Sequence, residues 1–197
     1  GYDDFMIAAT NWGPNYPGRG RVYVYAGGAD AITLLQTWDG GVDYRLFGSS
    51  LSAAGDTNGD GFADIVVGDP GYDVGNFFSA DEGAAYLYLG SASGPSSTPA
   101  NSWFGAQGGA NFGSSISGLG DVDGDGYSDF AVAEEDYSLG YPQGSYQGRV
   151  HVFYGGSSVI SADQGADLVL LGAQAGGDFG GCVGAAGDVN GDGYGDM

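Results

Sequence analysis

The chain has 197 residues, a formal net charge of −21, 42% hydrophobic and 14% aromatic residues, and 42 glycines. The apolar content suffices for a core and argues against disorder; the glycines follow no Gly-X-Y period, which excludes collagen; and the only cations, Arg19, Arg21, Arg45 and Arg149, cannot supply the basic patch that a nucleic-acid partner needs. Aspartate greatly outnumbers glutamate, present only as Glu82, Glu134 and Glu135, so the acidity points to turns and metal loops rather than to helix faces.

The chain opens inside a motif, because Gly1-Tyr2-Asp3-Asp4-Phe5 matches Gly61-Phe62-Ala63-Asp64-Ile65 and Gly193-Tyr194-Gly195-Asp196-Met197. An apolar strand is expected over Phe5–Ile7, a Gly/Pro/aromatic loop over 10–20, a Val/Tyr strand over Arg21–Tyr25 and a weaker strand over Ile32–Trp38. Phe47-Gly48 then begins a complete unit. A run of small residues (48–54) is followed by an acidic loop (56–64), an apolar strand (65–67), a long loop (69–83), a strand over 85–89, a Ser/Pro-rich loop (91–102) and a short strand over 102–104. Phe112 restarts the series: small residues over 113–119, acidic loop 121–129, strand 130–132, loop 134–148, strand 149–154, and a weaker strand over 168–171. Phe179 restarts it again, with small residues over 180–186 and an acidic loop at 188–196.

The units align without gaps over Phe47–Asp64, Phe112–Asp129 and Phe179–Asp196, and each Phe precedes the first loop aspartate by nine positions. One structural unit is therefore used repeatedly, with cut points near 1–46, 47–111, 112–178 and 179–197 of a single segment spanning 1–197. Four short strands per unit is the pattern of a propeller blade, and small side chains in the first strand suit the crowded axis. The expected fold is all-β: a β-propeller of four-stranded antiparallel blades, about three of them visible, as part of a larger ring or assembly. A β-solenoid has shorter repeats, and a plain sandwich would not repeat in sequence.

Each acidic loop reads Asp-x-Asp/Asn-x-Asp-Gly-aromatic-x-Asp. Calcium takes six to eight oxygens, and positions 1, 3, 5 and 9 with the position 7 carbonyl can supply them around a glycine turn. The candidate ligands are Asp56, Asn58, Asp60, the Phe62 carbonyl and Asp64; Asp121, Asp123, Asp125, the Tyr127 carbonyl and Asp129; and Asp188, Asn190, Asp192, the Tyr194 carbonyl and Asp196, with Asp4 as half of a further site. The EF-hand shares the opening of this motif but needs a glutamate at position 12 and flanking helices; here position 12 is Val67 or Val132, in an expected strand. The plain alternative, aspartates that only cap turns, leaves several like charges crowded without a cation. The second loop, with four carboxylates, is expected to bind calcium tightest.

Other features are weaker. Cys182 is alone, so no intrachain disulfide forms, and it is read as a small buried residue. His151 reads as an ordinary strand residue, and Glu134-Glu135-Asp136 as a solvated loop tip. No signal peptide, membrane span or Asn-x-Ser/Thr acceptor is found, and no nucleophile–base pair, phosphate loop or zinc spacing.

Phe-Gly, Asp-x-Asn-x-Asp-Gly-x-x-Asp, an apolar strand and Gly-Asp-Pro at 68–70, with Gly-Arg-Val-Tyr-Val-Tyr at 20–25, resemble the FG-GAP repeat of integrin α subunits over essentially the whole chain. The resemblance implies a seven-bladed propeller with calcium in the loop joining strands 1 and 2 of a blade. Two departures stand out: Ala8-Ala9-Thr10 and Ala133-Glu134-Glu135 replace the Gly-Ala-Pro segment, and three blades do not close a ring, so further repeats or another chain are expected. The resemblance also implies protein-ligand binding on the opposite face, whose loops carry Trp12, Tyr16, Tyr72, Phe77, Tyr137, Tyr141 and Tyr146, aromatics that equally suit sugar stacking. The expected function is a non-catalytic, calcium-binding recognition or adhesion module, extracellular or at the cell surface, with a protein or carbohydrate ligand. The alternatives are a structural subunit of an extracellular filament or surface layer, whose partner is further copies of itself, and the propeller portion of a polysaccharide-acting enzyme.

Overall fold

The computed structural model describes residues 2–13, 18–41, 45–73, 81–140, 145–158, 160 and 165–197. Eleven strands form three antiparallel sheets, and no helix occurs among the described residues. The first sheet orders β1 (Phe5–Ala9), β2 (Arg21–Ala26) and β3 (Thr33–Asp39). The second orders β4 (Leu51–Gly55), β5 (Asp64–Asp69), β6 (Ala84–Tyr88) and β7 (Asn101–Phe104). The third orders β8 (Phe112–Gly120), β9 (Asp129–Glu134), β10 (Arg149–Phe153) and β11 (Leu168–Leu171). Every sheet is a simple meander in which each strand pairs with its sequence neighbours, as a propeller blade requires. The three blades do not close on one another, so the chain is a partial β-propeller.

The alternation of side chains along each strand sets how the blades stack. In β5, Ile65 and Val67 point to the first blade, where they meet Val22, Val24, Trp38 and Phe47. Val66, between them, points to the third blade and joins Leu87, Trp103, Phe112, Phe130 and Phe153. A strand covered on both sides has no polar alternation, which explains the unbroken apolar run and the burial of every β5 and β9 residue. Aromatic pairs finish both interfaces: Trp38 stacks on Tyr88 at 3.9 Å between ring centroids, and Trp103 tilts against Phe153 at 4.8 Å. The Trp38 indole N–H also donates to the Ser96 carbonyl at 3.0 Å, tying the Ser/Pro-rich loop of the second blade to the first.

The register slips once at the end of β4 and of β8, immediately before each acidic loop. The residue there is Gly55 or Gly120, with φ of 77° and 78°, and Gly187 matches it at 71°. Only glycine adopts that conformation freely, so the bulge that turns the chain into the loop is written as the Gly before the first loop Asp.

Two expectations are corrected. The small-residue run 180–186 forms no strand, and the third unit keeps only the isolated bridge Gly187–Asp196. In the first two units this run pairs with the strand beginning at the last loop aspartate, whereas in the third unit only Ala186 and Gly187 share backbone hydrogen bonds with Asp196, both at 2.8 Å. Cys182, in that run, is accordingly exposed rather than buried.

Candidate metal centre

The three acidic loops share one hydrogen-bond pattern. The position 1 carboxylate gathers backbone donors: Asp56 Oδ1 accepts from the N–H groups of Gly59 and Asp60 at 2.7 and 3.0 Å, and Oδ2 from Gly61 at 2.8 Å. Asp121 does the same with Gly124, Asp125 and Gly126, and Asp188 with Gly191, Asp192 and Gly193. These bonds curl the loop around its position 1 carboxylate, and they hold the Asp188 carboxyl below the usual carboxylate range. In the second loop, carboxylate oxygens of Asp121, Asp123 and Asp129 lie within 4.8 Å of one another, a separation that a single hard cation can span. Where Asn replaces Asp at position 3, its amide reaches the position 5 carboxylate: Asn58 Nδ2 to Asp60 Oδ2 at 3.0 Å and Asn190 Nδ2 to Asp192 Oδ2 at 2.9 Å.

The position 9 aspartate ties the loop to the sheet. Asp64 and Asp129 are fully buried at the starts of β5 and β9. One oxygen accepts from the position 2 N–H, of Thr57 at 3.0 Å and Val122 at 2.7 Å; the other accepts from the glycine beyond the third strand, Gly90 at 2.9 Å and Gly155 at 2.8 Å. Asp4 repeats the second bond with Gly27 at 3.1 Å, and Asp196 repeats the first with Val189 at 2.9 Å. Burial pushes the Asp64 and Asp129 carboxyls up, against these bonds; a cation beside them would favour the charged form. The anchoring donors Thr57, Gly27, Gly90 and Gly155 are not among the candidate residues read from the sequence, although a glycine closely follows each third strand there.

On the loops joining strands 2 and 3, Trp12, Tyr72 and Tyr137 occupy equivalent places, each donating its N–H to the carbonyl of the last strand residue (Ala9, Asp69 and Glu134). Each ring lies beneath an arginine: Arg21 at 3.4 Å from the Trp12 centroid, Arg45 at 4.2 Å from Tyr72, and Arg149 at 3.7 Å from Tyr137. One face of each ring is thus engaged within its own chain. Tyr146 is exposed. Tyr16, Phe77 and Tyr141 lie outside the described residues.

Glu134 is not part of a solvated tip. It ends β9 with its side chain fully buried, and Oε2 accepts from Arg149 Nε at 2.5 Å and lies 3.0 Å from His151 Nε2. The equivalent Asp69 is also buried, and burial pushes it up to about 7 against the pull of Arg45 and of the nearby Tyr86 hydroxyl. The third equivalent is Ala9, and Arg21 there pairs with Asp39 on β3 instead. Aligning the repeats shows this substitution of acids for a small residue, but their burial comes from the neighbouring strands.

A model of the FG-GAP repeat matches residues 47–88 and 112–153. The chain is 36% identical to integrin alpha-5 of Xenopus laevis over 144 residues, covering 67% of this chain and 13% of the relative. It is 37% identical to human integrin alpha-10 over 144 residues (70% and 12%) and 31% identical to Xenopus laevis integrin alpha-4 over 143 residues (72% and 13%). The chain thus spans about an eighth of the length of the curated relatives it matches.

Proposed function

Since the chain belongs to the FG-GAP repeat family, we propose that it is a non-catalytic recognition module whose blades are stabilised by calcium in the loops 56–64, 121–129 and 188–196. The observation that carries this reading is the convergence of the Asp121, Asp123 and Asp129 oxygens within 4.8 Å, in a loop whose hydrogen-bond pattern recurs twice. The donor set is all oxygen, which suits a hard cation, and a loop that offers several protein oxygens at once favours calcium over magnesium, which keeps several of its waters. Asp121, Asp123, Asp125 and Asp129 with the Tyr127 carbonyl would hold the ion in the second loop. Bound there, calcium neutralises carboxylates that otherwise repel one another. The second loop binds tightest, because it alone has an aspartate at position 3.

Integrin alpha chains among the relatives support an extracellular or cell-surface site and a protein ligand; a carbohydrate suits the same aromatic-bearing loops. Native mass spectrometry in millimolar calcium tests the metal reading. Three bound ions, lost on addition of a chelator, are expected; a chain that carries none overturns it.

A further inference from the structure

The acidic loops of successive blades touch each other in a repeated way. The aromatic ring at position 7 of one loop rests against one side of the glycine at position 4 of the loop before it, which is otherwise exposed. A Cβ placed on Gly59 would lie 2.5 Å from Tyr127 Cε1, and one on Gly124 would collide with the Tyr194 ring. The next residue in each case makes a backbone bond to the same neighbour. Ser128 N–H donates to the Asp56 carbonyl at 3.0 Å, and Gly195 N–H donates to the Asp121 carbonyl at 2.8 Å. Asp56 and Asp121 are the position 1 carboxylates around which their loops curl. The first and second loops are therefore each clamped by the loop that follows, at the first candidate ligand and at the position 4 glycine.

From this repeated contact we infer that Tyr127 and Tyr194 are positioning residues for the metal site of the preceding blade, so that calcium fills the loops cooperatively. This rests on the calcium reading above. An ion held in the second loop draws on the Tyr127 carbonyl and fixes residues 127–128, and with them the ring and the N–H that hold the first loop closed. A clamp that is already ordered leaves less freedom to be lost when the first loop binds. The contact runs one way along the chain, but the energetic coupling is mutual. Tyr127 thus serves two sites through different atoms: its carbonyl its own loop, its ring the preceding one.

The test follows calcium titrations by NMR of glycine-labelled full chain, with the Gly61 and Gly126 amides, which donate to Asp56 and Asp121, reporting the first and second loops separately. Tyr127→Ala is expected to weaken binding at Gly61 by about fivefold or more, and to weaken Gly126 less; Tyr127→Phe, which keeps the ring, leaves both as in the parent. Tyr194→Ala, at an exposed site where folding is not at stake, is expected to weaken Gly126 in the same way. Unchanged titrations at the preceding loop in both alanine variants, with calcium still bound, overturn the coupling alone. A parent chain whose glycine amides ignore calcium overturns the metal reading and the coupling together.

Discussion

Asp64 holds three hydrogen bonds from Thr57 and Gly90 in a place water does not reach, whereas Asp60, four residues earlier, is exposed. The two carboxylates belong to one candidate site but answer to different physics. Asp64→Ala strands buried donors and is expected to cost about 3 kcal/mol or more even in chelator. Asp60→Ala is expected to cost about 1 kcal/mol or less without calcium and to show its effect only when calcium is present. Urea unfolding of both variants with and without calcium separates these outcomes; equal losses in chelator would contradict the anchoring role of Asp64. Asp69 supplies a pH dependence. Its folded value of about 7 lies above the ordinary 3.8, so between those values the folded chain keeps a proton that the unfolded chain has released. Stability therefore falls as pH rises through this window, by up to about 1.4 kcal/mol per pH unit. In saturating calcium, the urea midpoint is expected to fall between pH 5 and pH 8 by more in the parent than in Asp69→Asn. An identical fall in both would contradict it.

Identical motifs differ in weight according to what covers them. Phe112 is 3% exposed, in the interface between the second and third blades, with its ring edge-on to His151 at 5.1 Å. Phe179, the same residue of the next unit, is 41% exposed. Phe112→Ala is expected to cost about 3–5 kcal/mol and Phe179→Ala about 1 kcal/mol or less, read from denaturant midpoints; similar losses would contradict the stacking described here. This contrast marks the reach of sequence reasoning. The course of the acidic loops was legible, because the candidate ligands lie within nine consecutive residues and the glycines mark the turns. Most strands were legible too, within one or two residues at their ends. Glu134 and Asp69 were misplaced into loops because acids and a following proline look like a turn. Only the blades on either side show that β5 and β9 continue two residues further, to Asp69 and Glu134, in the core.

At the scale of the molecule, three sheets lie face against face with a formal charge of −21 and only four arginines. Three of those arginines cover aromatic rings on the strand 2–3 loops. The acidic loops gather their carboxylates between strands 1 and 2, whereas Arg21 and Arg149 pair with Asp39 and Glu134, outside those loops. Three calcium ions would bring the formal charge from −21 to −15 and would stabilise the folded state alone, by about 2.7 kcal/mol per site at a hundredfold excess over Kd. The most direct measurement is thermal unfolding of the purified chain in millimolar calcium, in millimolar magnesium and in chelator. The account predicts a melting temperature that rises by several degrees with calcium, rises little with magnesium, and returns to the chelator value when calcium is removed. The same melting temperature in all three would contradict it.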